Sequence, residues 1–596
     1  MSDYRAPLQE MQFILHDLIP LSDIETLPGC EEVSADLVNS VLEEAAKFSS
    51  EVLAPLNHSG DKEGSILQGD AVTTPKGFQA AYQRYIEAGW ISIACNPEFG
   101  GQGLPLTLAT PVNEMWHSAN MAFMLCPMLT AGAIEAIDHH ASDSQRAIFL
   151  EKLISGQWAG TMNLTEPSAG SDLSAVTSKA IPNEDHFLIT GTKIFITYGE
   201  HDFTENIIHL VLARLPDAPA GVKGISLFIV PKFLVNAAGE IGTRNDLKCV
   251  SLEHKLGIHA SPTAVMSFGE NGGAVGYLVG EANRGLEYMF TMMNNARLAV
   301  GLEGVAIAER AYQQALDYAT QRVQGKVPAK SGSLPILHHA DVQRMLMLMT
   351  SQVQAMRALA YIAAAESDRA QRHSDPTKRQ LAQARVDLLT PIVKAWSTEQ
   401  AIEIASLGVQ IHGGMGYIEE TGAAQHWRDA RITTIYEGTT GIQANDLLGR
   451  KILRDQGFEA KRLFSEIAEL AEELKTSPDL QLLDMGKKLE AANQSLRNAV
   501  DWILKTHPEN PSAVLAGAYP LLKCFGLVCG AWLLCKSALL LKNKNADDVF
   551  ANKKIGSAVF YTHHVLSAVP GLAESICAGE AVMDAMNQGL SDVLNS

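Results

Sequence analysis

Two changes of texture constrain what this chain can fold into. Up to about residue 160 the pattern is helical. The run DLVNSVLEEAAKFSSEVLAPL carries apolar residues at helical spacing and is expected to stop near Pro55, and GFQAAYQRYIEAGW and AIEAIDHHASDSQRAIFLEKLISG follow it. From Gly160 the runs become short and rich in Ile, Val, Thr and Phe: WAGTMNLTEP, HFLITGTKIFITYG, NIIHLVLARL, GISLFIVPKF and TAVMSFGENGGAVGYLV. Pro, Gly and Asn punctuate them, as in a small barrel or sandwich. After Asn283 long helical patterns return, with short connections that suit a bundle. The expected fold class is mostly α with a central β domain. Its divisions are an N-terminal extension (1–34), an N-terminal helical domain (35–160), a middle β domain (161–283), a C-terminal helical bundle (284–450) and an extra helical domain (455–596) broken at KTHPENPS.

At 596 residues the chain is too long for one hydrophobic core. Its net charge of -20 repels phosphate backbones and argues against a nucleic-acid partner. An anionic cofactor would need locally placed cations and backbone N–H groups. Eight scattered cysteines with no CxxC pair suggest neither a disulfide framework nor a metal site, and are expected to be buried reduced thiols of a cytoplasmic protein. Asp3, Glu10 and Asp17 stand where a secretory signal would need a basic then apolar stretch. The apolar segment CFGLVCGAWLLC, residues 524–535, lies between Lys523 and Lys536 and falls short of the roughly 20 residues that span a bilayer. A buried helix is expected there, with membrane contact the lesser alternative. No Walker A or strand-to-helix GxGxxG motif is present; GGQG and GGMG do not open helices after strands.

Three segments could carry chemistry. TMNLTEPSAGSD, residues 161–172, begins as a strand and runs into a turn that offers hydroxyls and free N–H groups to a polar ring edge or a phosphate, or serves only as a turn. QIHGGMGY, residues 410–417, ends a long helix; one glycine would stop it, and three suggest close approach to the backbone. In TTIYEGTTGIQANDLL, residues 433–448, Thr440 with Gln443 reads as a capping box whose helix N-terminus could hold an anion. Glu437 precedes it beside Ile435 and Tyr436, where partial desolvation would make a carboxylate a better base; a solvated loop glutamate is the plain alternative.

These segments, with FITYG, NNARLAVGLEGVAIAERA and RDARITTIYEGTTGIQ, resemble the acyl-CoA dehydrogenase family in its own motif order over roughly residues 35–450. The chain with its helical tail is similar to the bacterial branch of about 600 residues, which acts on fatty acyl-CoA or 3-methylmercaptopropionyl-CoA. The resemblance implies FAD as cofactor. Met162, Leu164 and Thr165 would line the isoalloxazine edge, Phe195, Ile196 and Thr197 would flank the ring, and Ser171 would lie near the pyrophosphate or the acyl-CoA. Many members carry Trp where this chain has Phe195. Arg322, Gln410, Gly413 and Gly414 would reach the FAD of a neighbouring subunit, and Thr439 its phosphate side. Glu437 matches the catalytic base. The slot that holds the base in other members is Ala296, just ahead of Arg297. Arg297 is a candidate contact for the base region or the CoA, or a packing arginine. Gly438 is a candidate substrate contact beside the base.

The implied reaction is α,β-dehydrogenation of an acyl-CoA to a trans-2-enoyl-CoA, as in fatty acid β-oxidation. Glu437 takes the α proton, the flavin takes the β hydride, and electrons pass to an electron-transferring flavoprotein. The rivals are an oxidase that uses oxygen directly and a DNA-associated relative with a basic C-terminal domain, which the acidity opposes. The tail is expected to pack over the bundle and to leave a homodimer.

Overall fold

In the computed structural model, which describes residues 4–328, 332–542 and 548–594, the helix opening at Ala35 does not stop at Pro55. It runs to Phe48, passes through a wide turn at Ser49–Leu53 and continues as Ala54–Glu63 with Pro55 in its first turn. The wide turn resets the hydrogen-bond register just ahead of the proline, where a missing N–H is tolerated. A two-stranded hairpin, β1 (Ile66–Gln68) and β2 (Ala71–Thr73), interrupts the N-terminal helical region where only helix was expected. The chain divides into two compact units, Met1–Glu43 with Leu106–Glu114 and Val300–Ser596, and Glu44–Pro105 with Met115–Ala299.

The second of these holds the expected β domain. After β3 (Trp158–Asn163) come β4 (Lys179–Asn183), β5 (His186–Thr197), β6 (Asn206–Arg214), β7 (Ile225–Pro231), β8 (Phe233–Val235), β9 (Ile241–Arg244), β10 (Leu247–Leu252), β11 (Thr263–Phe268) and β12 (Ala274–Leu278). Strands β8 and β9 form a separate hairpin. The main sheet has the order β10-β11-β5-β12-β7-β6-β3, with β4 on β5 and β6, and is antiparallel except where β6 pairs with β3 and β4. Strand β6 is buried on both faces, which is why its sequence reads as one apolar run. Ile208, Leu210 and Leu212 join a core with Leu129, Ile137 and Leu153, while Val211 and Ala213 join Val230, Met266 and Phe268 inside the sheet.

Three histidines in this unit are buried as neutral rings. Burial pushes His117, His201 and His209 down to about 3 from an ordinary value near 6.5, with Lys232 adding to the effect on the last two. His201 Nδ1 accepts the Phe203 N–H at 3.1 Å, a bond that protonation at that nitrogen abolishes. Because the folded values are depressed, the unfolded chain binds more protons below pH 6.5; the stability present above 6.5 is lost as pH falls toward 3. Each ring costs up to about 1.4 kcal/mol per pH unit across that window. The melting temperature of this unit should therefore drop steeply from pH 7 to pH 4, and His209→Gln should flatten the slope whatever it does to the value at pH 7. A melting temperature constant over that range would contradict this account.

In the other unit the long helices are α1 (Leu106–His140, of which residues 106–114 belong here), α2 (Gly285–Gln321, from Val300 onward), α3 (Ala340–Arg372), α4 (Pro376–His412), α5 (Ala423–Thr433), α6 (Thr440–Asp446), α7 (Phe458–Lys475), α8 (Leu480–Thr506) and α9 (Ala518–Lys542). Pro105 offers no side chain to cap α1, and Asp368 on α3 does so instead, accepting from Leu106 N, Thr107 N and Thr107 Oγ1 at 2.9, 2.7 and 2.6 Å. A buried charge cluster joins α1, α2 and α3. The Arg357 guanidinium donates to Glu114 at 2.6 Å and to Glu309 at 2.7 Å, and Tyr361 Oη donates to Glu114 at 2.7 Å.

The tail packs on the bundle, as expected. Gly526 and Gly530 let α9 lie directly on α3 and α4: a Cβ at Gly526 would stand 2.2 Å from the Trp396 ring, and one at Gly530 3.0 Å from Ala355. Arg385 on α4 binds Glu459 and, at 2.7 Å, Glu466 on α7. Lys554 and Glu10 form a buried pair that ties the tail to the N-terminal extension. Residues 524–535 are all buried. The expectation of a segment too short for a bilayer is corrected, because α9 has 25 residues. Among the described residues two helices, α1 and α9, are long and apolar enough to cross a membrane, and 78% and 83% of their apolar windows are buried in the fold. Six cysteines are buried, Cys95 is half-buried and Cys577 is exposed.

Candidate functional site

The segment at residues 161–172 leaves β3 and turns sharply at a Glu166–Ala169 bridge. Glu166 anchors the turn. Burial alone would raise its carboxyl, but Lys193 at 2.8 Å and the Ser178 and Thr177 hydroxyls outweigh that and hold it at about 2. Thr161 Oγ1 donates to Thr197 O at 2.9 Å, and Ile194 N donates to Thr165 O at 2.9 Å. These bonds join the end of β3 to the end of β5, so Met162, Leu164, Thr165, Phe195, Ile196 and Thr197 form one group within this unit. Met162 and Ile196 are buried, and Leu164, Thr165 and Thr197 are half-buried. Phe195 is 58% exposed and has φ 60°, a left-handed backbone uncommon for a bulky residue. An exposed ring held in a strained backbone beside two threonine hydroxyls suits a flat aromatic group with a polar edge. Ser171 is exposed on the turn. Arg297, also in this unit, is buried in its part of α2.

The remaining candidates lie in the other unit. Tyr318 near the end of α2 stacks on His412 at the end of α4, with ring centroids 4.4 Å apart. That brings Arg322 and residues 410–414 to one end of the bundle. Arg322, Gln410, Gly413 and Gly414 are all exposed, and among the described residues Arg322 has no carboxylate partner. The glycines of GGMG differ in kind. Gly413 ends the helix at φ 61°. Gly416 is required by packing, since its Cβ would stand 2.3 Å from Val409 O. Gly414 has open space where a Cβ would go, so nothing in this chain demands glycine there. A group that approaches the backbone closely would.

Glu437 sits in the loop between α5 and α6, half-buried, with φ 52°. Gly438 follows at φ 85°, and a Cβ there would lie 2.6 Å from Gln443 Nε2. Gln443 Nε2 itself donates to Glu437 O at 3.3 Å. Buried Lys394, on α4, donates to Thr433 O at 2.8 Å and to Gly438 O at 2.7 Å, so one side chain holds both ends of the loop. The capping box is corrected: Thr439, not Thr440, caps α6, its Oγ1 accepting from Ile442 N at 3.2 Å. Thr440 Oγ1 instead donates to Glu399 at 2.6 Å, and Thr440 N donates to Thr434 O. The Thr440 and Ile442 N–H groups are thus taken within the protein, which leaves little of the expected anion cradle at this seven-residue helix. The expected apolar setting is corrected as well. Ile435 is 47% exposed, and Tyr436 Oη donates to the buried carboxyl of Glu303 on α2.

Glu303, Lys394, Glu166 and Lys193 were missed in the sequence. Their signal is a lone charge inside an apolar run, as in AVGLEGVAIA and TPIVKAWS, where burial demands a partner that the local sequence does not supply.

Models of the acyl-CoA dehydrogenase N-terminal, middle and C-terminal domains match residues 38–157, 161–270 and 283–452, and a model of an acetyl-CoA dehydrogenase C-terminal-like domain matches 463–587. A 3-methylmercaptopropionyl-CoA dehydrogenase of Ruegeria pomeroyi is 48% identical over 569 residues, covering 94% of this chain and 96% of that protein. Two solved structures share the fold at lower identity. ACDH-11 of Caenorhabditis elegans in complex with C11-CoA has a TM-score of 0.80 at 18% identity, covering 99% and 96% of the two chains. A Bacillus anthracis acyl-CoA dehydrogenase complexed with FAD has a TM-score of 0.74 at 20% identity, covering 97% and 94%. The chain belongs to the acyl-CoA dehydrogenase family, whose members are FAD-dependent oxidoreductases.

Proposed function

We propose that Glu437 is the base that removes the α proton of an acyl-CoA thioester, and that the electrons leave through an electron-transferring flavoprotein in fatty acid β-oxidation or related acyl-CoA catabolism. The observation that carries this is the loop itself. A non-glycine residue at φ 52° is followed by Gly438 at φ 85°, in a loop pinned at two carbonyls by a buried lysine. Such a backbone persists only where its surroundings over-determine it. It presents the Glu437 carboxylate and N–H from a fixed frame. The N–H stabilises charge developing on the thioester oxygen, and the carboxylate accepts the proton from the α carbon.

FAD, when bound, supplies the acceptor for the hydride from the β carbon. Phe195 would pack against its ring, Met162, Leu164, Thr165, Ile196 and Thr197 would line its edge, and Ser171 would lie toward the phosphates or the CoA. Arg322, Gln410, Gly413 and Gly414 would hold the diphosphate side for a second subunit, with Thr439 near the phosphates. Arg297 and Gly438 serve the substrate. The open space at Gly414 and the absence, among the described residues, of a carboxylate partner for Arg322 support this division of labour, which requires a homodimer. The matched domain ranges support the division into 35–160, 161–283, 284–450 and 455–596, and burial of α1 and α9 supports a cytoplasmic protein rather than a membrane-attached one.

The purified protein should be yellow, behave as two chains in light scattering, and have its flavin bleached by acyl-CoAs under anaerobic conditions. Turnover should need an electron-transferring flavoprotein, with 3-methylmercaptopropionyl-CoA included in the substrate panel because of the relative named for it. Rapid turnover with oxygen alone would make it an oxidase. A monomer that retains flavin would refute the shared site.

A further inference from the structure

The carboxyl of Glu303, on α2, meets the Glu437 loop at Tyr436. It is fully buried. Its Oε2 accepts from Tyr436 Oη, and its Oε1 is buried with no partner among the described residues. An orphaned oxygen suits a neutral acid better than a carboxylate, whose two oxygens would both require donors. Three charged groups surround this acid and its phenol, Tyr436: Lys394 from α4, Glu437 from the loop, and Asp429 from α5, which acts on Tyr436. Lys394 is the same side chain that holds Thr433 O and Gly438 O. Glu303 is thus hydrogen-bonded to the residue before Glu437, and it feels through space the charge of the lysine that holds the residue after it.

We propose that Glu303 is a positioning residue for Glu437: it holds the base loop through Tyr436 beside Lys394, and its own ionisation changes the charge that the base faces. This rests on Glu437 being the base. Burial, the largest influence, and the charge of Glu437 together push Glu303 up to about 8 against the opposing Tyr436 bond and Lys394. Below that pH Glu303 is neutral and adds no negative charge beside Glu437. Above it a second negative charge raises the proton affinity of Glu437 and makes it the stronger base. A gain of one unit in proton affinity, half expressed in the transition state, is about threefold in rate.

The test has one arm without turnover. In infrared spectra of the substrate-free holoenzyme, a protonated-carboxyl band should vanish with a midpoint near pH 8. Glu303→Gln should remove that band and leave the one from Glu135, which burial pushes to about 7. Glu437→Gln should lower the Glu303 midpoint by at least about half a unit by removing the like charge. Tyr436→Phe, the second variant should Glu303→Gln not fold, should raise it. In the turnover arm, kcat should rise about threefold from pH 7 to pH 9 in the wild type and lose that rise in Glu303→Gln. A midpoint unmoved by Glu437→Gln, or a Glu303→Gln profile identical to wild type, overturns the proposal. If Glu437→Gln keeps wild-type activity while the midpoint still moves, the coupling stands and it is the assignment of the base that fails.

Discussion

Glu437→Gln should slow flavin bleaching by acyl-CoA by about 10²–10⁴-fold, the range that a positioned general base supplies. The amide keeps the volume of the side chain and both backbone groups. Flavin content and acyl-CoA affinity should therefore hold while the chemical step fails. Stopped-flow reduction under anaerobic conditions separates the two, because binding perturbs the flavin spectrum before any bleaching. A bleaching rate within threefold of wild type would show that a different group removes the proton. Ala296 stands where other members of the family place that base, so no second carboxylate waits at that position.

The second large effect concerns stability. Arg357→Ala should destabilise the unit built on α2, α3 and α4 by about 3–5 kcal/mol, because it leaves two buried carboxyls without their cation. Glu114 is fully buried, and burial already raises its carboxyl against the pull of Arg357. Without the guanidinium, Glu114 and Glu309 must take up protons or water at a cost. The loss should appear as a lower midpoint in chemical denaturation. Replacing the cluster as a whole, Arg357→Met with Glu114→Gln and Glu309→Gln, should recover much of it, since removing both signs of charge avoids the unpaired carboxyls. A single Arg357→Ala variant as stable as wild type would mean that the cluster is solvated when the cation goes.

Much of the architecture was legible because it is written in local periodicity. Apolar runs of helical spacing, then short strands, then long helices again are patterns that burial imposes over a few residues. The position of Glu437 was legible too, in a motif whose order along the chain matches a family. The capping of the next helix was not, because TTG offers two threonines and only the turn geometry selects Thr439 over Thr440. Pro55 misled for a similar reason: whether a proline ends a helix depends on the hydrogen-bond register that precedes it, and the wide turn at Ser49–Leu53 set that register.

Sequence alone determined the order of helical and strand segments, the acidity that argues against a nucleic-acid partner, and the motif order that places the chain in its family. These depend on residue type and short spacing. The tertiary structure decided which buried charges meet. Glu303 and Lys394 are 91 positions apart in the chain numbering, and neither lies near residues 433–438 in sequence, yet Glu303 meets the Tyr436 hydroxyl and Lys394 the Gly438 carbonyl. It also decided that Gly416 serves packing while Gly414 does not, and that α9 lies on Trp396 through Gly526. Such pairings come from helices laid side by side over long separations, where the partner of a buried charge is chosen by packing and desolvation.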